Sequence, residues 1–300
     1  MNFEPTHTPR VAILLTTFHP TTALSNQIES IAAQQGVDIA IYWGDDGSTQ
    51  QELDFVRSQL RFMNFREFHS SGIGPAENFF YLMSQVVNAE YVAYSDQDDV
   101  WVANKLSLHI QKLSEYGDIP SATHSNTELL IREALIKKKS RCQEHDLSSL
   151  LVENCSQGCT MVLNFRAVEL LKSRGHLGAV MHDWWTALVV AGTGHLIFVP
   201  GTDTHYRLHD NNTIGIPNML QRITRALSRQ EATLITQAKN LHSEFGDLML
   251  PLQLEMVNDW LLRFDSSWLC RIRWAFMDKK RRSSLLEDLF RRILAICKRP

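Results

Sequence analysis

The sequence predicts an α/β fold, a mostly parallel sheet flanked by helices, on three observations. Val11–Leu15, Val37–Trp43 and Tyr91–Tyr94 are short, unbroken apolar runs, as expected of strands buried on both faces. Polar stretches with apolar residues at helical spacing separate them. Each run also breaks abruptly into a polar or acidic turn: Thr16–Pro20, Gly44–Ser48 and Ser95–Asp99. Strand and helix alternating at this cadence make parallel βαβ units. Those units place all three turns at one edge of the sheet, where open α/β sheets bind their ligands.

Taken in order, Val11–Leu15 is the first strand, and Leu24, Ile28 and Ile31 mark the first helix. Val37–Trp43 is the second strand, Glu52–Leu60 a helix and Phe62–Phe68 a short strand. The loop Gly72-Ile73-Gly74-Pro75 opens a helix over Ala76–Val87, which leads into the Tyr91 strand. Leu106–Leu113 reads as helix, Ser121–Leu130 and Lys137–Arg141 as a variable connection, and Met161–Leu163 as a strand. Val168–Leu171 is helical. His182-Asp183-Trp184-Trp185 opens an apolar helix with an acid at its start, and Leu196–Pro200 is a strand. Tyr206-Arg207-Leu208-His209 with Asn211 and Asn212 forms a polar knot, and Pro217 begins a tail.

The 300 residues allow a large buried core, and 44% hydrophobic with 21% charged residues exclude a mainly disordered chain. Charge is unevenly placed. From Arg263 onward eleven Lys/Arg face four Asp/Glu, a net +7, leaving −10 on the rest. The expectation is an acidic body with a basic tail that meets an anionic surface. The N-terminal apolar run is too short for a signal or a membrane span. Five cysteines without a CxxC pair give no zinc site and suit reduced thiols in the cytoplasm.

The chemistry centres on Ser95-Asp96-Gln97-Asp98-Asp99. Three carboxylates this close repel one another and disfavour a packed core. An Asp-X-Asp pair at a strand end suits a hard divalent cation, Mg2+ or Mn2+, that leaves positions for diphosphate oxygens. Such a cation points to chemistry on a nucleotide-activated substrate.

The ordered motifs VAILLTTFHP, GDDGS, GIGPAENF, SDQDDVW, QGCTMVLN, HDWW and YRLHDNNTIG resemble glycosyltransferase family 2, in particular its bacterial rhamnosyltransferase-like members. The likeness runs from about Val11 to Gly215. It implies a Rossmann-like GT-A domain over residues 1–216, followed by a basic, amphipathic helical tail over 217–300. It also implies an inverting transfer, with L-rhamnose from dTDP-rhamnose as the favoured donor. A UDP-hexose donor, an inactive scaffold in a glycan-assembly complex and a nucleotidyltransferase are the rivals. The expected acceptor is a saccharide of a bacterial surface glycan, lipid-linked at the inner face of the inner membrane. Nucleic acid is not among the expected partners.

Residue by residue, the resemblance places Thr17, Phe18 and Asn78 at the nucleotide, with Phe18-His19 standing where the family usually has Tyr-Asn. Asp45 or Asp46 accepts a uracil or thymine N3–H, and Asp46 is favoured. The same turn reads equally well as a simple cap, with Gly47 at positive φ and Ser48 opening the next helix. Asp96 and Gln97 meet the donor, Asp98 ligates the metal, and Asp99 orients its neighbours. His209 is a candidate metal ligand. Arg207 clamps the diphosphate through its planar fork, or makes a surface salt bridge. Asp183 is the general base for the acceptor hydroxyl. Trp184 and Trp185 floor the acceptor sugar, or serve as core behind a capping Asp183. Gln157, Gly158 and Cys159 shape the acceptor pocket. In the tail, Trp268, Ile272 and Phe276, then Leu286, Leu289, Phe290, Ile293 and Cys297, form apolar stripes that suit either core packing or a membrane surface.

Overall fold

A computed structural model describes residues 7–69, 72–131, 134–136, 146–207 and 230–265. Strands β1 (Arg10–Thr17), β2 (Asp38–Asp45), β3 (Phe65–His69) and β4 (Tyr91–Ser95) are parallel and lie in the order β3-β2-β1-β4. Helices α1 (Ala23–Ala32), α2 (Gln50–Leu60) and α3 (Pro75–Gln85) form the crossovers. Burial explains the apolar runs. Val11, Ile13 and Leu15 enter one core layer with Ile41, Trp43 and Ala93, whereas Ala12 and Leu14 enter the other with Tyr42, Val92 and Tyr94. With both faces covered, strict hydrophobic alternation has no reason to exist.

The second half extends the same sheet. After the two-residue β5 (Val100–Trp101) and α4 (Lys105–Ser114) come β6 (Ser121–Ile131) and its short partner β7 (Ala134–Ile136). A short α5 (Leu147–Leu150) and a 3-10 turn at Gly158–Thr160 lead to β8 (Val162–Asn164). This strand inserts antiparallel between β4 and β6. Helices α6 (Phe165–Ser173) and α7 (His182–Thr193) follow, and then β9 (His195–Arg207), parallel to β6 and antiparallel to β5.

One expectation is corrected here. Ser121–Leu130 is no connection but most of an eleven-residue strand. Its polar residues misled the reading because they are buried and paired rather than solvated. The Thr123 hydroxyl lies 2.8 Å from His109 Nδ1 and donates to the Val162 carbonyl, while Ser121 N–H donates to Asn164 Oδ1.

Helices α8 (Gln230–Phe245) and α9 (Pro251–Asp265) pack on the body. Leu234, Ala238, Leu241, Phe245, Val257 and Trp260 join the core layer that contains α7. Lys137–Arg141, the Leu208–Asn212 part of the polar knot and the stripes from Trp268 onward lie outside the described residues. No described helix is long and apolar enough to cross a membrane.

Candidate functional site

Register brings the first two turns together. Thr17 ends β1 directly opposite Asp45 at the end of β2. Thr17 Oγ1 donates to Asp45 Oδ2 at 2.6 Å and itself accepts from Trp43 Nε1 at 2.9 Å. The Asp45 carboxylate also accepts from the backbone N–H groups of Gly47 and Ser48 and from Ser48 Oγ, so it holds its own turn closed. Asp46 turns the other way and accepts from the N–H groups of Ile73 and Gly74, at the entry to α3. Both acids therefore stand at the expected edge, each engaged by a different loop. Asn78 is fully buried, and its Nδ2 donates to the Gly44 carbonyl at 3.2 Å. It braces the acidic turn through that bond. Phe18, 53% exposed, is tied to Gln97 by a reciprocal pair: Phe18 N–H to Gln97 Oε1, and Gln97 Nε2 to the Phe18 carbonyl.

The third turn is the electrostatic centre. Ligand atoms of Asp96, Asp99 and Cys159 lie within 4.8 Å of one another, and this is the group among the described residues that could hold a cation. Asp98, the expected ligand, is outside that group; its carbonyl accepts from Arg207 Nε at 3.2 Å. Asp99 is buried, and its Oδ1 accepts the Arg207 N–H. Its Oδ2 is buried without a hydrogen-bond partner, as expected of an oxygen that awaits a ligand. Burial and the charge of Asp98 raise the Asp99 pKa to about 7. Burial, then Asp99, Asp98 and Asp183, push Asp96 well above the usual carboxylate range. Burial, then Asp99 and Asp96, keeps the Cys159 thiol protonated well above its ordinary value. Two carboxylate oxygens fit Mg2+ or Mn2+, and a sulfur beside them suits Mn2+ better.

Asp183 stands in the first turn of α7. Its Oδ2 accepts from the Gly158 N–H at 3.0 Å and its Oδ1 from the Trp184 N–H at 2.6 Å. A carboxylate has about four lone-pair positions, so two remain for a substrate proton. Close packing fixes it there. A Cβ on Gly158 would lie 2.7 Å from His182 Nε2 and 3.2 Å from Asp183 Cβ, so only glycine allows this approach. The His182 ring stacks on Phe79 at 3.8 Å and meets Tyr94 edge-on at 4.7 Å. Burial lowers its pKa to about 4, so the imidazole is neutral. Trp184 is 7% exposed, and its Nε1 donates to the Leu150 carbonyl. Trp185 is 1% exposed against Phe245 and offers no face to a sugar. Gln157 is exposed and accepts from Thr127 Oγ1. His209 lies outside the described residues.

The site thus joins the Asp96–Asp99–Cys159 cluster to Asp183 through Gly158, the neighbour of Cys159, and the charges of Asp99, Asp98 and Asp183 add to burial in raising the Asp96 pKa. Sequence reasoning missed Lys105 and His182. Lys105 lies just before the helix expected over Leu106–Leu113, and its position six residues after Asp99 was the available signal. His182 sat in a motif already quoted but was given no part.

No family model matches the chain. It is similar to the dTDP-rhamnosyl transferase RfbG of Shigella flexneri, 25% identical over 205 residues that cover 64% of this chain and 70% of that protein. In fold it matches S. aureus TarS with a TM-score of 0.57 at 13% identity, covering 97% of this chain and 50% of TarS; it therefore spans half of that protein. The mannosyltransferase PcManGT from Pyrobaculum calidifontis, solved with GDP-Man and Mn2+, matches with a TM-score of 0.56 at 15% identity, covering 98% of this chain and 87% of that one. At such identities the solved structures establish the architecture, which is that of GT-A transferases. Relatives by sequence and neighbours by fold are alike glycosyltransferases, the class that the ordered motifs implied.

Proposed function

We propose that this chain, a glycosyltransferase of the GT-A fold, is an inverting, metal-dependent enzyme that moves L-rhamnose from dTDP-rhamnose onto a saccharide acceptor of a bacterial surface glycan. The observation that carries the reading is that Asp183 is bound to the N–H of Gly158, the residue next to Cys159, whose sulfur lies within 4.8 Å of ligand oxygens of Asp96 and Asp99. An inverting transfer needs a base on one side of the anomeric carbon and charge compensation for a diphosphate on the other. Asp183 takes the proton of the acceptor hydroxyl as the new bond to the anomeric carbon forms. The bond to the diphosphate breaks on the opposite face, and dTDP leaves. Asp96 and Asp99 would hold the cation, with the Cys159 sulfur beside them. A bound cation supplies positive charge to the leaving diphosphate. Arg207, tied to Asp98 and Asp99, would clamp the diphosphate through its planar fork.

Thr17, Phe18, Gln97 and the Asp45–Asp46 turn would border the nucleotide, and Gln157, Gly158 and Trp184 the acceptor. The relative RfbG favours a dTDP-linked donor. A UDP-hexose is the second reading, since uracil and thymine share the N3–H donor. Thermal melting of the full chain with dTDP, UDP and GDP, each with and without Mn2+, is the test. We expect dTDP with Mn2+ to raise the midpoint most, by mass action on the folded state. A larger rise with UDP moves the donor to the second reading, and no rise with any nucleotide overturns the proposal.

The acceptor we assign is lipid-linked, and the basic residues after Arg263 would hold the enzyme at the anionic inner leaflet as a peripheral protein. Each Lys or Arg near such a surface contributes about 1 kcal/mol. Sedimentation with anionic vesicles that is lost at high salt is the expected result; indifference to vesicles at low salt removes the membrane assignment.

A further inference from the structure

Lys105 begins α4 and is fully buried, yet it is not an apolar core residue. Its Nζ donates to the Cys159 carbonyl and, at 2.8 Å, to Thr204 Oγ1. It also lies 4.3 Å from the centroid of the Trp101 ring. These partners sit on the three pieces that build the cation cluster: the segment after Asp99, the 3-10 turn with Cys159, and β9 on its way to Arg207. Burying an ammonium costs several kcal/mol unless its charge is compensated. Here the compensation is the cluster itself. Cys159, whose carbonyl takes the ammonium, also carries the sulfur that lies within 4.8 Å of ligand oxygens of Asp96 and Asp99.

We infer that Lys105 is the internal counter-cation of the acidic turn, a positioning residue that holds Asp96 and Asp99 together without metal and weakens their grip on a divalent cation. The inference rests on the cation reading given above and adds a binding order to it. With one positive charge already built in, the cluster retains the cation poorly alone. It retains it well once the donor's diphosphate adds negative charge. A lysine that merely clipped three segments together would have no such effect, and its loss would loosen every ligand alike.

The two roles differ in sign. The experiment compares full-length wild type with Lys105→Met. Mn2+ binding without nucleotide is followed by the free Mn2+ paramagnetic signal, and dTDP binding without metal by calorimetry. We expect Lys105→Met to bind Mn2+ about tenfold more tightly and dTDP about threefold more weakly, the signs that removal of one positive charge dictates. Lys105→Arg, which keeps the charge, should match wild type in both. A folded Lys105→Met with unchanged or weaker Mn2+ binding overturns the inference. If that variant does not fold, Lys105→Gln replaces it and the same results decide. If Mn2+ does not bind wild type even with dTDP, the cation reading falls and this inference falls with it. Mn2+ bound equally by wild type and the neutral variant defeats the role of Lys105 alone.

Discussion

Asp183→Asn should bind the donor as tightly as wild type while transferring sugar about 10^2 to 10^4 times more slowly, the range for loss of a positioned general base. The amide keeps the volume and the oxygen that accepts from one backbone N–H. It loses the second acceptor, because an NH2 group cannot receive the Gly158 N–H that now ends 3.0 Å from Oδ2. That mismatch costs about 1–2 kcal/mol of stability. The variant should therefore melt a few degrees lower yet stay folded at assay temperature. Rate and melting must be measured together, since a rate loss that melting explains would say nothing of the base. Near-normal turnover in the folded variant would place the base elsewhere. A change confined to KM would give Asp183 a binding part only.

How far the sequence reached depended on which force shaped each element. The parallel half was legible because burial on both faces writes itself as unbroken apolar runs, as in Val11–Leu15 and Tyr91–Tyr94. The acidic turns were legible because nothing in a core explains Asp96, Asp98 and Asp99 together. β6 was not legible, since its Ser121 and Thr123 are buried through hydrogen bonds that hydropathy cannot register. Asn78 carries a second part that the sequence did not signal: its Nδ2 donates to the Gly44 carbonyl from a buried position. Within the acidic turn, spacing favoured Asp98 over Asp99 as ligand. The chain brings ligand atoms of Asp99, Asp96 and Cys159 within 4.8 Å of one another, and the Cys159 partner is sixty residues further along. A contact of that kind has no local signal. The same holds for Lys105, whose burial depends on three distant elements meeting over it.

Asp96→Asn should abolish Mn2+ binding, lower turnover by about 10^2-fold or more, and raise the melting temperature. The rise follows from the crowding at this residue. Burial and the charges of Asp99, Asp98 and Asp183 all oppose its ionisation. A carboxyl whose pKa is raised by folding costs stability at every pH above its unfolded value, because the unfolded chain ionises it freely. A neutral amide removes that cost. Relief of about 1–2 kcal/mol would lift the midpoint of a chain this size by roughly 2–6 °C. The activity loss has the same origin with the opposite consequence, since the crowding of acids is what prepares the turn for a cation. Melting curves recorded in EDTA isolate the first effect, and Mn2+ titration of the folded variant isolates the second. Asp98→Asn, measured beside it, separates the cluster from the simpler motif: its carboxylate lies outside the Asp96–Asp99–Cys159 group, so it should keep Mn2+ binding within a few fold of wild type. An Asp96→Asn protein that melts lower than wild type in EDTA, or still binds Mn2+ as wild type does, would show that the repulsion drawn here between the four acids does not govern this site.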